Sequence, residues 1–377
     1  MTAVVVSGAL ANKTGSGGEA WVRLSWIRGL QQLGLDVWFV EELAPSMNAD
    51  WDSPPAAYFR GTTERFGLEG RSTLLAAGEA LMGPSLDDLL SIAPSATLVN
   101  ISGHLRDARL FPSFHRRVLI DLDPGFTQFW HAMGQPGARV EGHDLHFTIG
   151  EHIGTARCPI PTSGINWLPV RQPVVLRDWP CAPPEDGPRF TPVANWRGPF
   201  GPIEYDGHTY GLKVHEFRKF IGLPKRAQHT FELALRIDEA DNADLIALRD
   251  NGWRLTDPEA AAGEPEAFRS FILGSGAEFS VAQGVYVDTN CGWFSDRTVR
   301  YLACGRPALV QDTGFSDLLP VGRGLLAFRT IDEAAAGADD IVDHYEEHAT
   351  AAREIAERHF DSERVLSQFC EQVGIEP

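Results

Sequence analysis

A chain of 377 residues is too long for one ordinary hydrophobic core and suits two domains. Its 51 acidic residues against 33 basic ones give a formal charge of −18, which repels phosphate backbones and anionic lipid and argues against general nucleic-acid or membrane-surface binding. A hydrophobic content of 43% and a charged content of 22% are globular values, and the cysteines (Cys158, Cys181, Cys291, Cys304, Cys370) form no CxxC pair, so they read as reduced thiols.

In chain order, apolar runs of strand length alternate with stretches of helical period. Ala3–Ser7 reads as a buried strand, followed by a glycine-rich loop, Gly8 to Gly18. Trp21, Leu24, Ile27, Leu30 and Leu33 recur at helical spacing from Glu19 until Gly34 stops the helix, and Asp36–Val40 is the next strand. This strand–loop–helix–strand unit implies parallel pairing through a right-handed crossover. Further strands are expected near Ala96–Ile101, Arg117–Leu122, Leu145–Ile149 and Ile165–Pro169. Prolines crowd the stretch from Pro169 to Pro192, which favours extended backbone and marks a linker. A second series follows, with strands Phe190–Asn195, Phe231–Ile237, Trp253–Leu255, Ala277–Ala282, Pro307–Gln311 and Leu325–Phe328. Its helices fall near Leu212–Ile221, Ala243–Asn251, Pro265–Leu273 and Ser295–Ala303, and the tail from Asp332 to Gln372 is nearly all helical, with breaks near Ala349 and Asp361.

The expected fold is therefore α/β, two doubly wound halves facing across a cleft, with a C-terminal helical tail. The domain boundaries are 1–175, a proline-rich linker 176–189, a second domain 190–350 and a tail 351–377. In such folds ligands collect outside the carboxyl ends of the strands. No apolar run approaches the roughly 18 residues of a membrane span, and no basic n-region precedes the first strand, so a cytoplasmic protein without a transmembrane segment is expected.

Several motifs sit at those strand ends. Gly15-Ser16-Gly17-Gly18-Glu19-Ala20 matches G-x-G-x-x-A, and Glu41 and Glu42 lie where a dinucleotide fold keeps its ribose carboxylate. The segment Gly8–Thr14 separates this string from the strand, so Gly15, Gly17 and Gly18 read better as a loop touching acceptor or sugar than as a cofactor-phosphate turn. Asp121 and Asp123 share one strand face, an arrangement that can serve an active site, hold a divalent metal or cap the turn at Pro124–Gly125. His104 follows the strand ending at Ile101, and Glu151 and His152 follow the one ending at Ile149; each could deprotonate a hydroxyl or simply be a satisfied loop residue. Ile203–Tyr210 reads as a hairpin turning at Asp206–Gly207. Lys213 opens the next helix, where the macrodipole disfavours a cation unless an anion is present, so Lys213 and Arg197 are candidate phosphate ligands. Ser295 or Asp296 can cap a helix carrying Arg297, and the following strand delivers Asp312, Thr313 and Gly314 to the same end.

The run Tyr301-Leu-Ala-Cys-Gly-Arg-Pro-Ala-Leu-Val-Gln-Asp-Thr-Gly314 resembles the A-C-G-x-P segment of glycosyltransferases of the GT-B fold, group 1 type. The resemblance covers about Phe279–Phe328 closely and the remainder in architecture. It implies two Rossmann-like domains and a metal-independent transfer of a sugar from a nucleoside diphosphate donor to a hydroxyl-bearing small-molecule or lipid acceptor. No bound cofactor or metal is implied. Arg197, Lys213, Ser295, Asp296, Arg297, Asp312, Thr313 and Gly314 would then hold the donor, with His104 first and Asp123 second as the base. The paired glutamates that many members carry would fall at Gly292 and Arg300, so the pair is missing and the stereochemical outcome stays open. Two other readings remain: an NAD-dependent oxidoreductase using Gly15–Ala20 and Glu41, and a GT-B relative without transferase activity, either a sugar-nucleotide epimerase or a binding protein.

Overall fold

The computed structural model describes residues 2–47, 50–181, 188–198 and 200–376. It falls into two compact units. The first is Met1–Ile149, Thr162–Val175 and Asp361–Pro377; the second is Gly150–Pro161 and Leu176–Phe360. The expected linker thus begins with residues of the second unit, including the turn Leu176–Asp178, while 182–187 lie outside the described residues. The helical tail is shared: Ile331–Asp343 and Tyr345–His359 belong to the second unit and Ser362–Val373 to the first.

The first unit is built on an eight-stranded sheet of β1 (Ala3–Ser7), β2 (Asp36–Glu42), β3 (Ser72–Ala76), β4 (Glu79–Met82), β5 (Thr97–Ile101), β6 (Arg116–Asp121), β7 (Leu145–Thr148) and β8 (Trp167–Pro169). Their spatial order is β4-β3-β2-β1-β5-β6-β7-β8, parallel throughout except for the β3–β4 hairpin. The order reverses between β1 and β5, so the crevice beyond their carboxyl ends is the natural ligand position. Buried on both faces, β1 and β5 are near-continuous apolar runs, which is why sequence reading finds them. The β3–β4 hairpin, with the helices Pro54–Arg65 and Leu86–Ile92, has no counterpart among the expected elements. Its turn places Ala77 and Gly78 at φ 50° and 79°, and the alanine-rich run around it carries no alternation.

Helix Gly17–Gln32 covers one sheet face and packs on helix Ser362–Val373. Gly29 permits the approach: a Cβ there would stand 2.4 Å from Leu366 Cδ1. Trp26 meets the edge of Phe369 beside it, with ring centroids 5.1 Å apart.

The loop after β1 is fixed by one carboxylate. Glu41, fully buried at the end of β2, accepts from the backbone N–H groups of Leu10, Ala11 and Asn12 at 2.9, 2.7 and 2.8 Å and from the Asn12 side chain at 2.8 Å. Burial raises its pKa, and those donors oppose the rise. The expected ribose ligand of a dinucleotide fold is therefore spent on the loop itself, which removes the main support for the NAD reading.

In the second unit, β9 (Val193–Asn195), β12 (Glu232–Arg236) and β13 (Arg254–Thr256) form one parallel ladder, in the order β13-β12-β9. A second parallel ladder runs β14 (Glu278–Ser280), β15 (Ala308–Gln311) and β16 (Leu325–Phe328). Phe190, just before β9, bridges both ladders through Phe231 and Ala277. Here too the order reverses, between β9 and β14. The expected hairpin is present as β10 (Ile203–Tyr205) paired with β11 (His208–Tyr210). An aromatic core of Phe190, Phe217, Phe220, Phe231, Trp253, Phe279 and Phe328 holds the unit, with Phe279 stacked on Phe328 at 5.2 Å. The tail breaks at His344, five residues before the position expected at Ala349, and Thr330 with Glu333 closes a capping box at its start.

Replacing Glu41 with alanine leaves the three loop N–H groups without an acceptor. A loss of about 2–4 kcal/mol is expected in urea unfolding; a loss below about 1 kcal/mol would contradict the loop-holding role.

Candidate functional site

In the second unit, Arg297 lies at the strand ends that flank the reversal. Helix Asp296–Ala303 starts there, capped by Ser295 Oγ accepting from the Arg297 N–H at 3.2 Å. The Arg297 guanidinium donates to Glu278 Oε1 at 2.6 Å, to Ser280 Oγ at 2.7 Å and to the Val193 carbonyl at 2.8 Å. One buried side chain therefore ties β9 to β14. The Glu278 side chain is 0% exposed and that of Arg297 14%, so the pair is an interior one.

Lys213 starts the helix Lys213–Arg218 near this pair. Its backbone N–H donates to Gln283 Oε1 at 2.6 Å, but its ammonium has no hydrogen bond or ion pair among the described residues. Burial first, and then the Arg297 charge, pull its pKa down to about 7, while Glu278 and Asp296 pull the other way. A half-buried ammonium beside a second cation, with Glu278 already paired to Arg297, is a position that an anion would stabilise.

The other expected donor ligands are engaged within the unit. Arg197 is held bidentately by Asp241, at 2.8 and 2.5 Å. Three of the five guanidinium N–H groups of Arg297 are taken by Glu278, Ser280 and the Val193 carbonyl. Asp296 pairs with Arg300 at 2.7 Å. Asp312 accepts from Gly314 N–H, Ser316 Oγ and Arg329, and so shapes the turn. Thr313 Oγ1 donates to the Trp293 carbonyl at 2.5 Å. Gly314 (φ 97°) lies against Asn290 and His152; a Cβ there would come within 2.6 Å of Asn290 Oδ1. His152 is a buried anchor in this unit: its Nδ1 donates to the Asn290 carbonyl at 2.8 Å, and its N–H bonds the Cys291 carbonyl at 3.0 Å. These contacts explain why 150–161 packs with the second unit.

In the first unit, the loops after β1, β5 and β6 bring together Lys13, Glu19, Arg23, His104, Asp123 and Arg139. Ser102 and Gly103 take positive φ (53° and 62°), and so does Arg139 (53°). Gly103 is required there, because a Cβ would stand 2.7 Å from Arg139 Cβ. Asn100 brackets the loop, its side chain donating to the Leu105 carbonyl and accepting from the Leu105 N–H, both at 3.0 Å.

His104 meets Arg139 Nη1 at 3.2 Å through Nδ1. An arginine can only donate, so Nδ1 accepts and Nε2 carries the proton. Burial, then Arg23, Arg139 and Lys13, push the His104 pKa down to about 3. Its one basic nitrogen is occupied, so His104 is poorly suited to be the leading base. Asp123 is better suited: its carboxylate takes no hydrogen bond among the described residues. Burial, then Asp121 and Glu19, raise its pKa to about 7. Asp121 is structural, accepting from Thr127, Gln128 and Thr148 side chains and the Asp123 N–H at 2.7, 2.8, 2.8 and 3.1 Å. Gly15 (φ 74°) turns the loop, and Gly17 and Gly18 open helix Gly17–Gln32.

Residues 264–372 match the family model described as glycosyl transferase-like. The fold is that of several solved glycosyltransferases. An alpha-glucosyltransferase solved with UDP and a 13-mer DNA containing an HMU base is 10% identical, with a TM-score of 0.62 over 99% of this chain and 98% of that one. HepE of Anabaena with UDP-glucose is 11% identical, with a TM-score of 0.60 over 99% and 100%. Sucrose-phosphate synthase of Thermosynechococcus elongatus is 11% identical, with a TM-score of 0.55 over 99% and 98%. Among curated proteins no sequence match was found. The chain thus has the GT-B glycosyltransferase fold and carries a glycosyl transferase-like segment that includes Arg297 and Asp312. Among the described residues, no helix is long and apolar enough to cross a membrane.

Arg297→Met leaves Glu278 buried without a counter-charge and is expected to cost about 3–5 kcal/mol in chemical denaturation. The double replacement Arg297→Met, Glu278→Met should recover most of that loss. Equal destabilisation in the two proteins would contradict the pairing.

Proposed function

We propose that the chain is an enzyme transferring a sugar from a UDP-linked donor to a hydroxyl of a small-molecule or lipid acceptor, without a metal. The observation that carries this reading is the Lys213 ammonium, half-buried and without a partner among the described residues, beside the strand-order reversal of the second unit. There it would neutralise the leaving diphosphate, the role a divalent cation fills in other transferases. Arg297 and Glu278 act behind it as positioning residues. Arg197, held by Asp241, is left out of the proposed contacts, and Asp312, Thr313 and Gly314 shape the neighbouring turn.

In the transfer, the acceptor oxygen forms a bond to the anomeric carbon. The bond from that carbon to the diphosphate oxygen breaks, and its electron pair leaves on UDP. The acceptor proton goes to Asp123, whose pKa of about 7 suits a base at neutral pH. His104, as a neutral N–H donor, would orient a hydroxyl. A metal on the Asp121–Asp123 pair is disfavoured because both Asp121 oxygens already accept hydrogen bonds. The DNA-bound alpha-glucosyltransferase of the same fold raises a DNA acceptor as a second reading, but the formal charge of −18 opposes it.

Calorimetry should show UDP binding that Lys213→Ala weakens by about tenfold or more. NAD should not bind. Asp123→Asn should keep wild-type UDP affinity and lose about 100-fold or more in kcat. Because the raised pKa leaves Asp123 partly protonated near neutrality, kcat should climb as pH rises through about 7, and the product should be inverted at the anomeric carbon. A retained configuration with an active Asp123→Asn enzyme would assign the proton to the leaving phosphate. Transfer to DNA containing an HMU base would replace the small-molecule acceptor.

A further inference from the structure

The first unit carries more positive charge at its strand ends than a neutral hydroxyl acceptor requires. Arg23 is neutralised locally by Glu19, one helical turn away. Lys13, in the loop held by Glu41, has an ammonium with no hydrogen bond or ion pair among the described residues. Arg139 makes no ion pair among the described residues either; its guanidinium contacts only His104, which is uncharged there. Arg106 adds a third charge nearby, bonding the carbonyls of Arg139 and Glu141 at 3.4 and 3.3 Å. Burial, then Arg106, lower the Arg139 pKa, and Glu42 opposes them. Glu42 itself accepts from the Arg106 N–H at 2.6 Å. Asp123 is the remaining carboxylate of the cluster.

Like charges are thus gathered on a strained loop pair, Gly103 against Arg139, in a protein whose overall charge is −18. Lys13 closes the turn Ala11–Lys13, and helix Gly17–Gln32 begins just beyond it with no side-chain cap on its first N–H groups. That end of the helix adds partial positive charge of the same sign.

Building on the proposed transfer, we infer that the acceptor is a small hydroxyl compound that also bears an oxyanion, a carboxylate or a phosphate ester, gripped by Lys13 and Arg139 while Asp123 faces its hydroxyl. Arg139 offers a planar fork to the oxyanion and Lys13 a point charge. His104 keeps Arg139 in place through its accepting nitrogen. A neutral acceptor would leave both cations without a counter-charge, and so would bind more weakly.

Two measurements test this. Inorganic phosphate is titrated calorimetrically into Lys213→Ala protein, where the phosphate position of the second unit has been removed, so the result does not depend on whether UDP binds. Binding is expected, weakened about tenfold by adding Lys13→Ala or Arg139→Ala and less by Arg139→Lys, which keeps the charge and loses the fork. Circular dichroism of each variant controls for folding. With UDP-glucose as donor, wild-type UDP release is then compared for glycerol, glycerate and glycerol 3-phosphate. A lower KM for either anion than for glycerol is expected, and the better of the two identifies the oxyanion. Phosphate binding indifferent to Lys13 and Arg139, or glycerol serving as well as both anions, would overturn the inference. Failure of UDP to bind would instead sink the transferase reading and leave the phosphate result standing.

Discussion

The donation of Arg297 to Glu278 is the contact on which the proposed donor site depends. It places a full charge pair in the interior at the strand-order reversal, where the Val193 carbonyl and the Ser280 hydroxyl complete the arginine's bonds. Such a pair gains stability only as far as its donors and acceptors are matched; β9 and β14 satisfy three Arg297 N–H groups and Glu278 Oε1, and Glu278 Oε2 is buried without a hydrogen bond. Its chemical consequence falls on Lys213. With Glu278 Oε1 committed to Arg297, the Lys213 ammonium stands near a second cation and has no partner among the described residues.

The first unit uses a buried carboxylate in a similar way. Glu41 gathers three backbone N–H groups, and in doing so fixes the turn from which Lys13 extends. Asn100 and Gly103 hold the loop of His104 against Arg139. In both units, then, buried polar groups pin loops at the reversal of strand order, and a cation beside them has no partner among the described residues. Asp123 is the acidic counterpart, a carboxylate kept partly protonated by burial and by its neighbours Asp121 and Glu19.

Much of the fold could be read before any coordinates. Ala3–Ser7 and Leu325–Phe328 fall where their apolar runs put them, because burial in a parallel sheet writes itself into the sequence, and helix Pro265–Leu273 falls where its helical period puts it. The alanine-rich β3–β4 hairpin did not show, since its strands neither alternate nor carry β-branched residues throughout. The passage of 150–161 into the second unit could not be read either, because it rests on His152 meeting the carbonyls of Asn290 and Cys291 far along the chain.

The site was legible in residue type and not in partnership. Lys213 and Asp123 stand out as candidates from their places at a helix start and a strand end, and both keep a side chain without a hydrogen bond among the described residues. Arg197, Asp296 and Asp312 looked equally suitable, yet Asp241, Arg300 and Arg329 claim them. Glu41 at a strand end reads as a ribose ligand until the loop that folds back over it is seen. His104 looked the better base on its ordinary pKa, and burial first, then the surrounding cations, together with the raised pKa of Asp123, reverse the order. Charge type is local information, whereas ion pairing depends on tertiary neighbours.

Whether a diphosphate completes Lys213 is tested most directly by proton uptake. At pH 8 the unliganded lysine, with a pKa of about 7, is mostly neutral. A bound diphosphate would restore its charge, so UDP binding measured calorimetrically in buffers of different ionisation enthalpy should take up close to one proton, about 0.9. Lys213→Ala should abolish that uptake. UDP binding without proton uptake, or with uptake unchanged in Lys213→Ala, would contradict the assignment.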